Sequence, residues 1–332
     1  MRCVSTVRFC LRINGKFSEE FNPGRGLRQG DPLSPYLFLL AAQGLSALLL
    51  KEQSFGRIKG LRISVHGPRV NHLLYADDCF LFLRNSEDEA TRVREILRLY
   101  ELASGQKVNL DKSYIYFSNG MRDEHKAALK GILEMREETK IGVYLGLPLI
   151  VGKNKTDSLC FLFQNVDKRV GGWTKNLLSF GGREVLSKSV AQALPTYAMG
   201  CFLLPDCIIN PIIASMRNFL WSGKVGSRGW THVAWGKLCR PKRYGGIGFK
   251  DLRVFNLALL GKQIWRLMVN KNSLCFKVLS TKYFPDGDVL NAKPHDKPSF
   301  MWRCVSKAKD VLRDQFHLRI GVDSQCLMFQ NR

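Results

Sequence analysis

Two adjacent acids, Asp77 and Asp78, stand between two short apolar runs, and that arrangement leaves few folds open to the chain. Upstream lies Val70-Asn71-His72-Leu73-Leu74-Tyr75, and downstream lies Cys79-Phe80-Leu81-Phe82-Leu83. Runs of this length, rich in aromatics and bounded by polar residues, have the composition of buried strands. Joined through a tight turn, they make a β-hairpin that carries neighbouring carboxylates at its exposed tip. Neighbouring carboxylates repel, so a cation stabilises the doubly ionised pair. Hard oxygen donors suit Mg²⁺, whose remaining ligands are usually water and substrate phosphates. By itself an Asp-Asp turn is an ordinary solvated feature, so its meaning rests on its surroundings.

The first neighbour is Gly26-Leu27-Arg28-Gln29-Gly30-Asp31-Pro32-Leu33-Ser34-Pro35-Tyr36-Leu37-Phe38, a Gly-rich, Pro-punctuated loop that opens an apolar helix from Leu37 to about Leu50. Such a loop lets backbone approach a ligand closely, and the helix that follows presents a positive dipole end. After the hairpin come Ala103-Ser104-Gly105-Gln106-Lys107-Val108-Asn109-Leu110-Asp111-Lys112-Ser113, then Tyr144-Leu145-Gly146-Leu147-Pro148-Leu149. Farther on stand Trp173, Leu177-Leu178-Ser179-Phe180-Gly181-Gly182-Arg183, Leu194-Pro195 and Gly245-Gly246-Ile247-Gly248-Phe249-Lys250-Asp251-Leu252. In this order the segments resemble reverse transcriptases of plant-type non-LTR, LINE-type retrotransposons, along nearly the whole chain.

The resemblance implies an α+β fold. Residues 1–150 would form a partial polymerase palm, an antiparallel sheet with packed helices. A helical thumb-like region would follow over 151–221, then a basic Trp-containing carboxy-terminal region over 230–332. It implies an RNA template, a DNA primer, deoxynucleoside triphosphates and Mg²⁺, with Asp77 and Asp78 as catalytic metal ligands. Gly26, Arg28, Gln29 and Gly30 would face template and incoming nucleotide together with Tyr75 and Ala76, Lys112 would lie beside the departing pyrophosphate, and Tyr144, Leu145 and Gly146 under the primer end. Group II intron maturases and viral RNA-dependent RNA polymerases fit less well. The viral enzymes usually carry Gly where Ala76 stands, and the maturase tail differs from the Trp-rich one here.

One carboxylate of the family pattern is absent. Its enzymes place an aspartate on the strand before the Gly-Gln-Gly loop, whereas this sequence has no Asp before Asp31 and only Glu19 and Glu20 in that region. Neither Glu lies in the family's surrounding pattern. Residues 6–21 read instead as two alternating strands joined by Asn14-Gly15, the strongest short hairpin signal, because both central residues of a type I′ turn take positive φ. The expectation is a chain that begins inside the palm and is inactive in isolation, because a lost metal ligand removes several kcal/mol of transition-state stabilisation. Nothing resembles the family's endonuclease or an RNase H domain. The alternative is a catalytically dead remnant that binds nucleic acid through its basic surface.

Charge bears on that alternative. The net charge is +23; residues 1–150 hold 22 Lys and Arg against 17 Asp and Glu, and residues 151–332 hold 29 against 11. A basic half suits a polyanion such as a primer–template duplex. The ten cysteines show no zinc-site spacing and read as free thiols in a reducing, intracellular compartment, the nucleus by resemblance. No signal-peptide core is present, and Leu37–Leu50 falls short of the ~20 residues that a membrane span needs, so the chain reads as soluble, with no membrane and no protein partner inferable.

Periodicity completes the outline. Ser86-Glu87-Asp88-Glu89 has the capping-box form, and Ala90, Val93, Ile96, Leu97 and Tyr100 recur at helical spacing until Ser104-Gly105. Residues 108–117 alternate as a strand would. Helices are expected over 159–170, 183–194 and 208–221, with Lys168, Arg169, Lys175, Arg183 and Lys188 on their faces. A Gly/Ser-rich linker is expected at 222–229. Trp221, Trp230, Trp235 and Trp265 read as core, beside Val254, Leu257, Leu260, Ile264 and Leu267 at helical spacing. His72 reads as a packing or surface residue.

Overall fold

The computed structural model describes residues 6–22, 24, 26, 29–118, 120–138, 142–152, 154–172, 178–222, 231–320 and 325–329, with side chains through Asp314. Arg28, Trp173, Lys175, Leu177, Trp230 and residues 223–229 of the expected linker lie outside the described residues. The chain divides into two compact units, residues 1–140 and 141–332. Both mix helices with short strands, so the architecture is α+β.

The first unit opens with β1 (Arg12–Ile13) and β2 (Lys16–Phe17), antiparallel across Asn14 and Gly15. Both turn residues have positive φ, 51° and 84°, as the Asn-Gly pair dictates. Then come α1 (Ser34–Ser54), β3 (Leu61–Arg62), β4 (Arg69–Val70), β5 (His72–Tyr75), β6 (Asp78–Leu81), α2 (Glu87–Ser104), β7 (Tyr114–Ile115), α3 (Asp123–Leu133) and β8 (Arg136–Glu137). The strands form two-stranded ribbons instead of one continuous antiparallel sheet, and β7 pairs with β8 in parallel. One core joins α1, α2 and the β5–β6 hairpin: Leu45, Leu49, Ile58, Val93, Ile96 and Leu97 are buried, with Leu74, Leu81 and Leu83 packed on them. The apolar stripe of α2 thus covers the back of the hairpin, as its spacing predicts.

The helix α2 starts and stops where its sequence says. Ser86 is extended and its Oγ accepts from Glu89 N–H at 3.5 Å; Gly105 closes the helix in the left-handed region and donates to Glu101 O at 2.9 Å. The Glu89 carboxylate does not complete a capping box. It accepts instead from the backbone N–H groups of Arg84 and Lys59, each at 3.0 Å, and so ties the helix start to two loops. A second tie joins α1 to α2, where buried Glu52 takes a two-pronged contact from Arg92 at 2.7 and 2.9 Å and a third from Arg57 at 3.3 Å. The Arg92 hydrogen bond holds the Glu52 carboxyl below the usual carboxylate range against the opposing effect of burial.

Two expectations for this unit need correction. The strand over 108–117 shrinks to Tyr114–Ile115, because Asn109 breaks the run: its backbone and side-chain oxygens both accept from Lys112 N–H at 3.2 Å, which turns the chain. The helix expected over 37–50 runs from Ser34 to Ser54, with Pro35 in its first turn, where the missing N–H costs nothing. At 21 residues it is long and apolar enough, by length and composition, to cross a membrane, which overturns the length part of the sequence argument. Its carboxy-terminal half nevertheless packs Leu45 and Leu49 into the core just described and ends on the Glu52 ion pairs.

The second unit begins with β9 (Val143–Tyr144) and β10 (Leu147–Pro148), then α4 (Lys155–Gly171), α5 (Phe180–Leu186), a π turn (Ser187–Ala191), α6 (Thr196–Met199), α7 (Asp206–Ser222), α8 (Trp235–Leu238), a 3₁₀ turn (Lys242–Tyr244), α9 (Leu252–Val269), α10 (Leu274–Tyr283) and α11 (Phe300–Leu312). A 3₁₀ turn leads into the ribbon of β11 (Phe316–Ile320) and β12 (Gln325–Phe329). The helices expected over 159–170 and 208–221 are present and slightly longer, and that over 183–194 becomes α5 plus the π turn. Leu159, Leu162, Val166 and Val170, at i, i+3, i+7 and i+11, bury against Ile208, Ile209, Ile212, Met216 and Phe219. Asn256 is fully buried with three satisfied bonds: its Nδ2 donates to Met199 O (2.7 Å) and Phe202 O (2.9 Å), and its Oδ1 accepts from Leu204 N–H (2.8 Å). Trp221 and Trp235 pack on Phe180 and Phe249, in keeping with the core reading. Val254 is an exception, 63% exposed on the outer face of α9.

Candidate functional site

The β5–β6 hairpin pairs His72 with Leu81, Leu73 with Phe80, Leu74 with Cys79 and Tyr75 with Asp78. The loop is therefore two residues, Ala76 and Asp77. Strand alternation sends His72, Leu74, Cys79 and Leu81 to one face and Leu73, Tyr75, Asp78 and Phe80 to the other. Asp77 occupies the turn itself. Both carboxylates are exposed, and Ala76 holds φ +49°, a conformation that costs a residue with a Cβ about 1–2 kcal/mol. The Asp-Asp step thus spans a turn position and a strand position.

What fixes the hairpin is a polar clamp at its base. Asn71, which is buried, donates from Nδ2 to Leu49 O at 3.0 Å, and its own carbonyl accepts from Phe82 N–H at 2.8 Å. His72 lies between the side-chain oxygen of Asn71, on its Nδ1, and Ser46 Oγ, 2.9 Å from its Nε2. Burial holds the imidazole below its ordinary pKa, so the ring is kept neutral and can accept on one nitrogen while donating from the other.

The clamp also sets direction. Advancing one residue along β5, from Asn71 to His72, moves the partner three residues back along α1, from Leu49 to Ser46. The strand therefore runs antiparallel to the helix axis, and the tip points toward the amino-terminal end of α1. Immediately before that end lie Gln29 and Gly30 in a turn, with Gly26 three residues farther upstream; both glycines have positive φ. Asp31 caps the approach, its Oδ1 accepting from Leu33 N–H at 2.9 Å. Sequence spacing shows the two motifs but not this alignment, because the clamp pairs residues 22 and 26 positions apart.

The other expected residues stand on other elements. Lys112 is exposed on the Asn109–Ser113 turn of the first unit. Tyr144, Leu145 and Gly146 belong to the second unit, where Leu145 and Gly146 form the turn of the β9–β10 hairpin with φ 50° and 77°. Glu20 is engaged by Arg8 at 3.3 Å on the surface. Among the described residues no group of three or more His, Cys, Asp or Glu side chains is placed to hold a metal, and Asp77 and Asp78 carry hard oxygen donors at adjacent positions. They fit Mg²⁺ in chemistry and leave most of its octahedron to water or substrate.

The profile of the reverse transcriptase (RNA-dependent DNA polymerase) family matches residues 1–149. An uncharacterized mitochondrial protein of Arabidopsis thaliana is 34% identical over 141 residues, 40% of this chain and 92% of that protein. An uncharacterized 149 kDa protein of transposon TX1 from Xenopus laevis is 29% identical over 248 residues, 74% of this chain and 18% of the relative. A retrovirus-related Pol polyprotein from a type-2 retrotransposable element of Drosophila melanogaster is 30% identical over 152 residues, 46% of this chain and 13% of the relative. The chain spans about a quarter or less of the length of the larger relatives that it matches.

Proposed function

This chain belongs, through residues 1–149, to the reverse transcriptase family, and we propose from that membership that it is the RNA-directed DNA polymerase module of a LINE-type retrotransposon. The observation that carries the reading is the clamped hairpin, which exposes Asp77 and Asp78 at a tight turn and is tied through Asn71 and His72 to α1, the helix that follows the loop of Gly26, Gln29 and Gly30. The reaction is nucleotidyl transfer: a primer 3′-hydroxyl loses its proton and attacks the α-phosphate of a deoxynucleoside triphosphate, and pyrophosphate leaves. Asp77 and Asp78 would hold Mg²⁺, which when bound neutralises charge on the attacking and leaving oxygens. Tyr75, 59% exposed beside Asp78, and Ala76 offer a surface to the nucleotide or template. Gly26, Arg28, Gln29 and Gly30 contribute close backbone approach and a cation. Lys112 neutralises the departing pyrophosphate. The β9–β10 turn of Tyr144, Leu145 and Gly146 supports the primer end. Palm and thumb are the roles that this reading gives to the first unit and to the helices after β10.

In this reading a further carboxylate, which the family pattern puts on a strand before the Gly-Gln-Gly loop, completes the metal site, and residues 1–30 contain no Asp. A second reading, a catalytically dead remnant that binds nucleic acid through its basic surface, is favoured by the 29 Lys and Arg against 11 Asp and Glu in residues 151–332. Primer extension on an RNA template with Mg²⁺ separates the two when run on this chain, on a chain extended at its amino terminus by an aspartate-bearing strand, and on Asp77→Asn in each. We expect extension by the lengthened chain alone and its loss in Asp77→Asn by at least about 10²-fold. Titration with Mn²⁺, followed by its electron paramagnetic resonance, reads the metal site without catalysis. If Asp77→Asn and Asp78→Asn bind Mn²⁺ as the unaltered chain does, the polymerase assignment of this hairpin is wrong.

A further inference from the structure

Between Asp206 and Asp251 the chain has no acid: the 44 residues 207–250 carry eight Lys and Arg. Within them Arg240-Pro241-Lys242-Arg243-Tyr244 forms a loop that is exposed at every position and buries no side chain. A solvated loop of that kind would ordinarily be left loose, yet this one is held firmly. Tyr244 N–H donates to Pro241 O at 2.9 Å, Gly246 N–H to the same carbonyl at 3.3 Å, and Gly248 N–H to Arg240 O at 3.0 Å. The return of the chain passes so close to its start that a Cβ on Gly246 would meet Arg240 O at 1.9 Å, so only glycine fits there.

Two side chains of the π-turn segment anchor the base. Lys188 Nζ donates to Ile247 O while also pairing with Glu184, and Gln192 exchanges bonds with the Lys250 backbone at 3.0 and 3.4 Å. The cations of the loop and of α8 before it are uncommitted: Lys237 of α8 and Arg240, Lys242 and Arg243 of the loop have no carboxylate partner among the described residues. The nearest acid in sequence, Asp251, has its Oδ1 taken by the amino terminus of α9, accepting from Arg253 and Val254 N–H. Tyr244 is 63% exposed, with the Arg243 guanidinium 4.8 Å from its ring centroid.

We propose that this loop is a binding site for single-stranded nucleic acid, in which Lys237, Arg240, Lys242 and Arg243 take consecutive phosphates and Tyr244 stacks on an unpaired base. Unpaired cations on a pre-set loop beside an exposed ring suit a flexible polyanion, since less loop entropy is then lost on binding. A duplex would leave the ring unused. The site lies outside residues 1–149 and is read without catalysis, so it stands or falls separately from the polymerase assignment, which fails on metal binding at Asp77 and Asp78.

The test is fluorescence anisotropy of a labelled 20-nucleotide single-stranded RNA with the full chain, across a salt series, together with a matching 20-base-pair duplex. Replacing both Lys242→Ala and Arg243→Ala is expected to weaken single-strand binding about tenfold and to reduce the log–log salt slope by about 1.4, at ~0.7 per lost phosphate contact. Tyr244→Ala is expected to weaken single-strand binding about fivefold, with duplex binding unchanged, and Tyr244→Phe to restore it. All these residues are exposed, and circular dichroism confirms that the variants fold. Unchanged affinity and slope in the double variant overturn the proposal. So does equal competition by polyglutamate at matched charge, which would mark the loop as a dock for an acidic protein.

Discussion

His72, the first residue of β5, is half-buried. Its ring sits between Asn71 and Ser46 at the base of the carboxylate hairpin, and burial lowers its pKa. For a base whose folded pKa is depressed, the unfolded chain binds more protons in the interval between the folded value and the ordinary 6.5. The stabilisation is therefore complete above pH 6.5 and is lost as pH falls toward the folded pKa. Urea midpoints between pH 5 and pH 7 should rise with pH in the unaltered protein. They should rise less in His72→Phe, which should also lose about 1 kcal/mol at pH 7 through its missing hydrogen bonds. Equal pH slopes in the two proteins would show that the imidazole is not held neutral in the fold. Periodicity does place His72 on the inward face with Leu74, but its partners lie on a helix too far away in sequence for spacing to reveal.

At the scale of elements, the helix start at Ser86 shows how a local rule is bent by packing. Ser-x-x-Glu predicts a reciprocal pair, and the Ser86 half forms at 3.5 Å. Glu89 is buried and spends its oxygens on Lys59 and Arg84 N–H, two donors that tertiary contacts bring to it. Glu89→Ala orphans both donors and should cost about 2–3 kcal/mol in chemical denaturation, whereas Ser86→Ala should cost about 0.5–1 kcal/mol. A cap acting alone would reverse that order. The same lesson explains the shortened strand at Tyr114–Ile115. Alternation over 108–117 is genuine, yet Asn109 satisfies its own turn locally, and the partner, Arg136–Glu137, offers only two residues of parallel ladder.

For the whole molecule, charge is the governing quantity. The second unit, residues 141–332, carries 29 Lys and Arg against 11 Asp and Glu, since residues 141–150 hold neither kind. An excess of that size makes polyanion binding steeply dependent on salt, and Lys237 with the three loop cations alone corresponds to a slope of about −2.8 on a single strand. Raising salt from about 50 to about 200 mM should therefore weaken RNA binding by about 50-fold or more in an anisotropy titration. A change below about threefold would mean that the basic surface is spread too thinly to act on one ligand. The net charge is legible from the sequence, and so is its asymmetry. The presence of a rigid, acid-free loop within it is not, because Lys188 and Gln192, which pin the loop, stand some 58 residues upstream of their partners.

The sequence by itself determined the local features: a two-residue turn between apolar strands that exposes Asp77 and Asp78, the Asn14-Gly15 turn, the start and stop of α2, and the helical stripes of the second unit. Each is set by interactions within about four residues, where propensity, capping and side-chain period act. Only the tertiary structure decided that the carboxylate hairpin is clamped to α1 through Asn71 and His72, that Glu89 leaves its capping box, and that Arg240–Tyr244 is a fixed platform. Those outcomes depend on buried polar groups finding partners across long stretches of chain. Burial makes an unpartnered group costly, so it is the packing, and not the local pattern, that chooses the partner.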